Sequence, residues 1–60
     1  MNNYLFEIMS GEYEGEMFFV QAENRDKADE VLGEYFWGEK VKYRGTYSDE
    51  EAEMMGYDTY

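Results

Sequence analysis

The 60-residue chain carries 15 Asp plus Glu against 5 Lys plus Arg and no His, a formal charge of -10 at pH 7. The absence of Cys excludes disulfides, thiol catalysis and Cys-based metal sites, and the absence of His removes the commonest general base and metal ligand. No apolar run approaches the ~20 residues of a membrane span, and MNNYLFEI lacks the basic start and apolar core of a signal peptide, so a cytoplasmic protein is expected.

Residues 3–9 predict a first strand, with Tyr4, Phe6 and Ile8 on one face and Leu5, Glu7 and Met9 on the other. Residues 10–15 hold two glycines and predict a hairpin turn. The returning strand, 16–22, alternates Phe18, Val20 and Ala22 with Met17, Phe19 and Gln21, so either face qualifies as the core one. Asn24 is an N-cap with Asp26 in the favourable first turn. From there Ala28, Val31, Leu32, Tyr35 and Phe36 follow the spacing of one buried helical stripe, and Gly38 stands where a left-handed helix end would fall. In 40–47, Lys40, Lys42 and Arg44 alternate with Val41, Tyr43 and Gly45, the period of a third strand. Ser48 and Glu51 form a capping box for a short helix over 49–55, which Gly56 closes, and 57–60 reads as a flexible tail.

These elements make one compact acidic α+β domain over 1–60, in the order ββαβ with a short C-terminal helix. A right-handed helical crossover after the hairpin gives a three-stranded antiparallel sheet of order 2-1-3, with one helix packed on one face. The other face then presents Leu5, Met9, Met17 and Phe19, more apolar surface than so small a monomer usually leaves wet. Met54 and Met55 are candidates to cover part of it, and a partner or a second copy of the chain is a candidate for the rest. Surface scaling predicts a folded area of roughly 4,000 Å².

The charge is patterned along the chain. Residues 1–24 and 45–60 each hold five acids and no base, whereas 25–44 hold five of each. Glu12, Glu14 and Glu16 alternate through the hairpin and, if that stretch is extended, line an edge at about 6.8 Å intervals. Asp26, Glu30 and Glu34 recur every four residues and line the outer helix face at about 6 Å per turn. Asp49, Glu50, Glu51 and Glu53 crowd the last helix. Nucleic acid offers one phosphate per ~3.4 Å of axis along each strand, and Arg and Lys engage carboxylate with the fork geometry they use on phosphate. These ten carboxylates are therefore the candidate partner-binding residues, set to occupy a basic groove built for phosphates.

Acidic rows on a solvated surface also serve solubility, but half this charge would suffice for that. The run at 49–53 lacks the Asp-x-Asp-x-Asp-Gly pattern of a calcium loop and is explained by the helix cap, so no metal is assigned. A chain this short leaves little wall for a cleft that would raise one carboxyl pKa, so no catalytic residue and no cofactor are assigned either. Lys40, Lys42 and Arg44 are expected to pair with Glu7 and its neighbours, and direct nucleic-acid binding is not expected at this net charge. Trp37 is either the end of the core stripe or an exposed anchor. Tyr13, Tyr47, Tyr57 and Tyr60 lie among the acids, where their rings could add contact to a partner's Arg.

By size, charge and ββαβ pattern, and through Glu12, Glu14, Glu16, Asp26, Glu30, Glu34 and the run from Asp49 to Glu53, the chain resembles the small acidic anti-CRISPR proteins of phages and mobile elements, several of which are nucleic-acid mimics. The resemblance implies a non-enzymatic inhibitor in the cytoplasm of a bacterial host, binding a CRISPR effector complex where it receives target DNA. A different class is a small interaction module that binds a protein, or a second copy of itself, through the apolar sheet face. Polar substitutions at Met17 and Phe19 would separate the two.

Overall fold

The computed structural model describes residues 1–60. Its elements are β1 (Asn2–Ile8), β2 (Met17–Ala22), α1 (Arg25–Tyr35), β3 (Val41–Tyr47), α2 (Asp49–Met55) and β4 (Asp58–Thr59). β1 pairs antiparallel with both β2 and β3, which reproduces the expected 2-1-3 arrangement as the centre of the sheet. The expected three-stranded antiparallel sheet is nevertheless incomplete. A fourth strand, β4, pairs parallel to β2, so the sheet is mixed and runs β3-β1-β2-β4. Residues expected as a tail thus carry that strand. Tyr60 anchors it, donating its N–H to the Phe19 carbonyl at 2.8 Å and accepting from the Gln21 N–H at 2.9 Å.

Both sheet faces are core. On the first, Tyr4, Phe6, Ile8, Phe18, Val20 and Ala22 are buried with Ala28 of α1, and Val31, Leu32 and Phe36 pack against them. On the second, Leu5 and Phe19 are buried with Ala52 of α2, flanked by Met17 and Tyr47. The expectation of one helix over one face is therefore corrected: α2 covers the Leu5 and Phe19 side. Its cover comes from Ala52, while Met54 points out and is 88% exposed. A small residue permits close helix–sheet approach where two bulky Met side chains would hold the helix away. The folded surface is 4277 Å², in line with the scaling expectation.

The N-cap at Asn24 forms as read, its side chain accepting from the Lys27 N–H at 2.9 Å. Helix α1 ends earlier than Gly38, with Phe36 as its C-cap. The Phe36 ring lies stacked on Phe18, centroids 4.2 Å apart, while its backbone, at φ -129° and ψ 26°, has already left the helical region. Tyr35, placed in the core stripe by its spacing, is exposed. Ser48 and Glu51 make the capping box, and Gly56, in the left-handed region, closes α2.

Strand β3 does not keep one alternation along its length. Leu5 faces Gly45 and Phe6 faces Tyr43, so Arg44 is an extra residue and the strand bulges there. A one-residue slip exchanges the faces of everything beyond it. Tyr43 accordingly meets Phe6 on the α1 side, whereas Tyr47 meets Phe19 on the α2 side. Gly45 has φ +153°, and a Cβ there would lie 3.1 Å from the Tyr47 ring. The bulge thus lets one edge strand set the exposed Tyr43 ring beside Phe6 on one face and pack the half-buried Tyr47 ring against Phe19 on the other.

Candidate functional site

The hairpin carboxylates do not form the extended row. Residues 10–15 are turns and bends, with Gly11 and Gly15 at positive φ, the Glu14 N–H bonded to the Gly11 carbonyl and the Glu16 N–H bonded to the Tyr13 carbonyl. A stretch coiled by its own backbone bonds cannot hold alternate side chains at strand spacing. Glu12, Glu14 and Glu16 are all exposed, clustered at the end of the molecule where β1 turns into β2.

The helical row is present: Asp26, Glu30 and Glu34 lie on the exposed side of α1. It is partly offset by its own bases, since Lys27 lies 3.8 Å from Glu30 and Arg25 3.1 Å from the adjoining Asp29. Such exposed pairs contribute on the order of 0–1 kcal/mol and leave the acids open to a competing cation.

The acids of α2 divide by role. Glu51 is committed to the capping box. Asp49 accepts from the buried Asn3 amide at 2.7 Å and from Gln21 at 3.3 Å, bracing the start of α2 against the sheet. The Asn3 hydrogen bond holds the Asp49 carboxyl below its ordinary range; desolvation opposes this and the Gln21 amide adds to it. Glu50 and Glu53 carry no such bonds and are exposed.

The ten candidate residues therefore do not assemble into one surface. Helices α1 and α2 flank opposite faces of the sheet, and the hairpin acids sit at one end. Most of the acids lack an ion pair: the three pairs take up Glu7, Asp29 and Glu30, leaving twelve of the fifteen carboxylates without one. Arg44, expected to pair with Glu7 or its neighbours, reaches Glu7 at 3.6 Å from its place in the bulge. Lys42 stands opposite Glu7 in register without pairing, and Lys40 is likewise unpaired. Arg25 lies over the rings of Tyr43, at 4.4 Å, and Phe6, at 5.4 Å, so the base closest to the core is already engaged.

Comparison of the chain with protein-family models, with curated proteins and with solved structures finds no match. Its chemistry therefore rests on its own surface. Two clefts bear on it. One, about 330 Å³, lies between α2 and the sheet and contains Asn3, Gln21 and Asp49, whose polar groups are bonded to one another. The other, about 350 Å³, opens at the hairpin end between Tyr13, Phe18, Phe36 and Tyr60, with Glu16 and Asp58 at its sides.

The sequence reading missed Asp58 and this second cleft, because the cleft exists only once β4 is docked. The sequence holds no signal for it, since Tyr57, Asp58, Thr59 and Tyr60 show no strand alternation. Trp37 proves exposed at 84%, outside the core. No three carboxylates converge closely enough to hold a metal ion, and no helix is long and apolar enough to cross a membrane. A second copy docking on Leu5 and Phe19 would first have to displace α2.

Proposed function

We propose that this protein is a non-enzymatic inhibitor that seats its acidic surface in a basic nucleic-acid site of another protein and excludes the nucleic acid. The resemblance to acidic anti-CRISPR proteins makes a CRISPR effector complex the target of choice. The observation that carries the reading is the surplus of twelve carboxylates without an ion pair on a body of 30 × 22 × 15 Å. Acids on both helices, on opposite faces of one small sheet, suit a channel with two positive walls better than a flat basic patch. Within about one Debye length at 0.1 M salt, ~10 Å, neither wall escapes the field of the face turned toward it.

The test is competition. Purified multisubunit and single-protein CRISPR effectors are loaded with guide and offered target duplex, and the protein is titrated in while bound duplex is followed by mobility shift. Displacement is expected, with affinity falling steeply as salt rises. Charge reversal of Glu12, Glu14 and Glu16 to Lys, or of Glu30 and Glu34 to Lys, should abolish it. Displacement that survives both reversals removes phosphate mimicry from the account.

A further inference from the structure

The cleft at the hairpin end combines four aromatic side chains with two carboxylates. Phe18 and Phe36 are stacked at its base, and the Tyr60 ring stands edge-on to both, with centroids 5.7 and 5.3 Å away. Tyr13 and Tyr60 are each about half exposed, so π surface remains open to a ligand. Glu16 and Asp58 flank the opening, and neither is ion-paired within the chain. The cleft volume, about 350 Å³, falls at the small end of the ~300–1,000 Å³ range of ligand sites.

We propose that this cleft receives the guanidinium of an arginine side chain from the basic partner, a proposal that rests on the function proposed above and names the chemistry of one contact. A planar guanidinium stacks on aromatic faces and donates to carboxylates along its edge, which a compact ammonium does less well. The chain contains the same recognition internally: Arg25 stacks over Tyr43 and Phe6 while its Nε is 3.1 Å from the Asp29 carboxylate. At the hairpin cleft the rings and the carboxylates are present and no Arg or Lys of the chain pairs with them.

The experiment is an NMR titration of the full chain with a capped peptide alternating Gly and Arg, at about 10 mM salt, where the Debye length is about 30 Å. Peptides carrying Lys or citrulline in place of Arg run in parallel. The expected result is that the largest shifts fall on Tyr13, Phe36, Tyr60, Glu16 and Asp58, with Arg binding more tightly than Lys and citrulline failing to bind. The pair Glu16→Gln and Asp58→Asn, both at exposed positions, should weaken the Arg peptide about fivefold, while Glu30→Gln with Glu34→Gln should change it less than about twofold. Shifts centred on α1 or α2, equal binding of the Lys peptide, or wild-type affinity in the folded Glu16 and Asp58 variant would each overturn the cleft proposal while leaving charge-based docking in place. Failure of both cationic peptides to bind would count against the cleft and the function together.

Discussion

Replacing Tyr60 by Ala removes a ring from a chain whose stability has little margin, and its cost can be worked from the structure. Tyr60 is 48% exposed, so about half of a side chain that can bury ~150–250 Å² is withdrawn from water. At ~25 cal/mol/Å² that is about 2–3 kcal/mol. The edge-on contacts with Phe18 and Phe36 add about 0.5–1.5 kcal/mol each at most, less at this exposure. The two backbone hydrogen bonds of residue 60 survive the substitution, so they do not enter. A loss of about 3 kcal/mol follows. In a domain of this size each kcal/mol shifts Tm by ~4–8 °C, which places the shift near 10–25 °C. Thermal unfolding followed by circular dichroism at fixed salt measures it, with Met54→Ala as the exposed control. A Tyr60→Ala protein melting within about 2 °C of wild type would refute the stabilising role given to the Tyr60 ring against Phe18 and Phe36.

Added salt should raise Tm by several degrees. Between about 10 mM and 1 M, the Debye length falls from ~30 Å, the long dimension of the molecule, to ~3 Å, and repulsion among the unpaired carboxylates is screened; a flat or falling Tm would contradict this. Gly45→Ala should destabilise by about 1–3 kcal/mol, read from the urea midpoint, because its backbone conformation disfavours a side chain and the new Cβ meets the Tyr47 ring. An unchanged midpoint would mean the bulge relaxes freely. The Asp49 carboxyl is depressed in the folded state, so its contribution is present above its unfolded pKa and lost as pH falls through the folded one. The Tm deficit of Asp49→Asn should therefore be largest near neutral pH and narrow on acidification below the ordinary Asp range. A deficit independent of pH would show that the carboxylate charge is not what Asn3 and Gln21 hold.

How far the sequence spoke for the fold depended on how long each pattern ran. The first two strands, the Asn24 cap and the Ser48–Glu51 box were legible because they are carried by adjacent residues under strong local rules. β4 was not, since two residues cannot display a period and their pairing is decided by where α2 delivers the chain. The bulge at Arg44 was hidden for a related reason: uninterrupted alternation through 40–47 predicts a regular strand, and the register shift shows only once β3 is paired with β1. Met54 and Met55 looked like the cover of the second face because they are large and apolar, yet the tight seat beneath α2 goes to Ala52. The candidate acids were each visible by type, but their division between opposite faces comes from the topology. The coiling of the hairpin row comes from turn hydrogen bonds that the alternation of Glu12, Glu14 and Glu16 conceals.

The most direct test of the central claim immobilises the protein, exposes it to bacterial lysate at low salt, and asks what added duplex DNA releases. A basic nucleic-acid-binding protein should be captured, be displaced by the duplex, and fail to bind a variant whose exposed Glu and Asp are replaced by Gln and Asn while Asp49 and Glu51 are kept to preserve the α2 cap. If that neutral variant stays folded and holds the same partner undiminished, with duplex DNA unable to release it, surplus charge is not what this surface uses to bind.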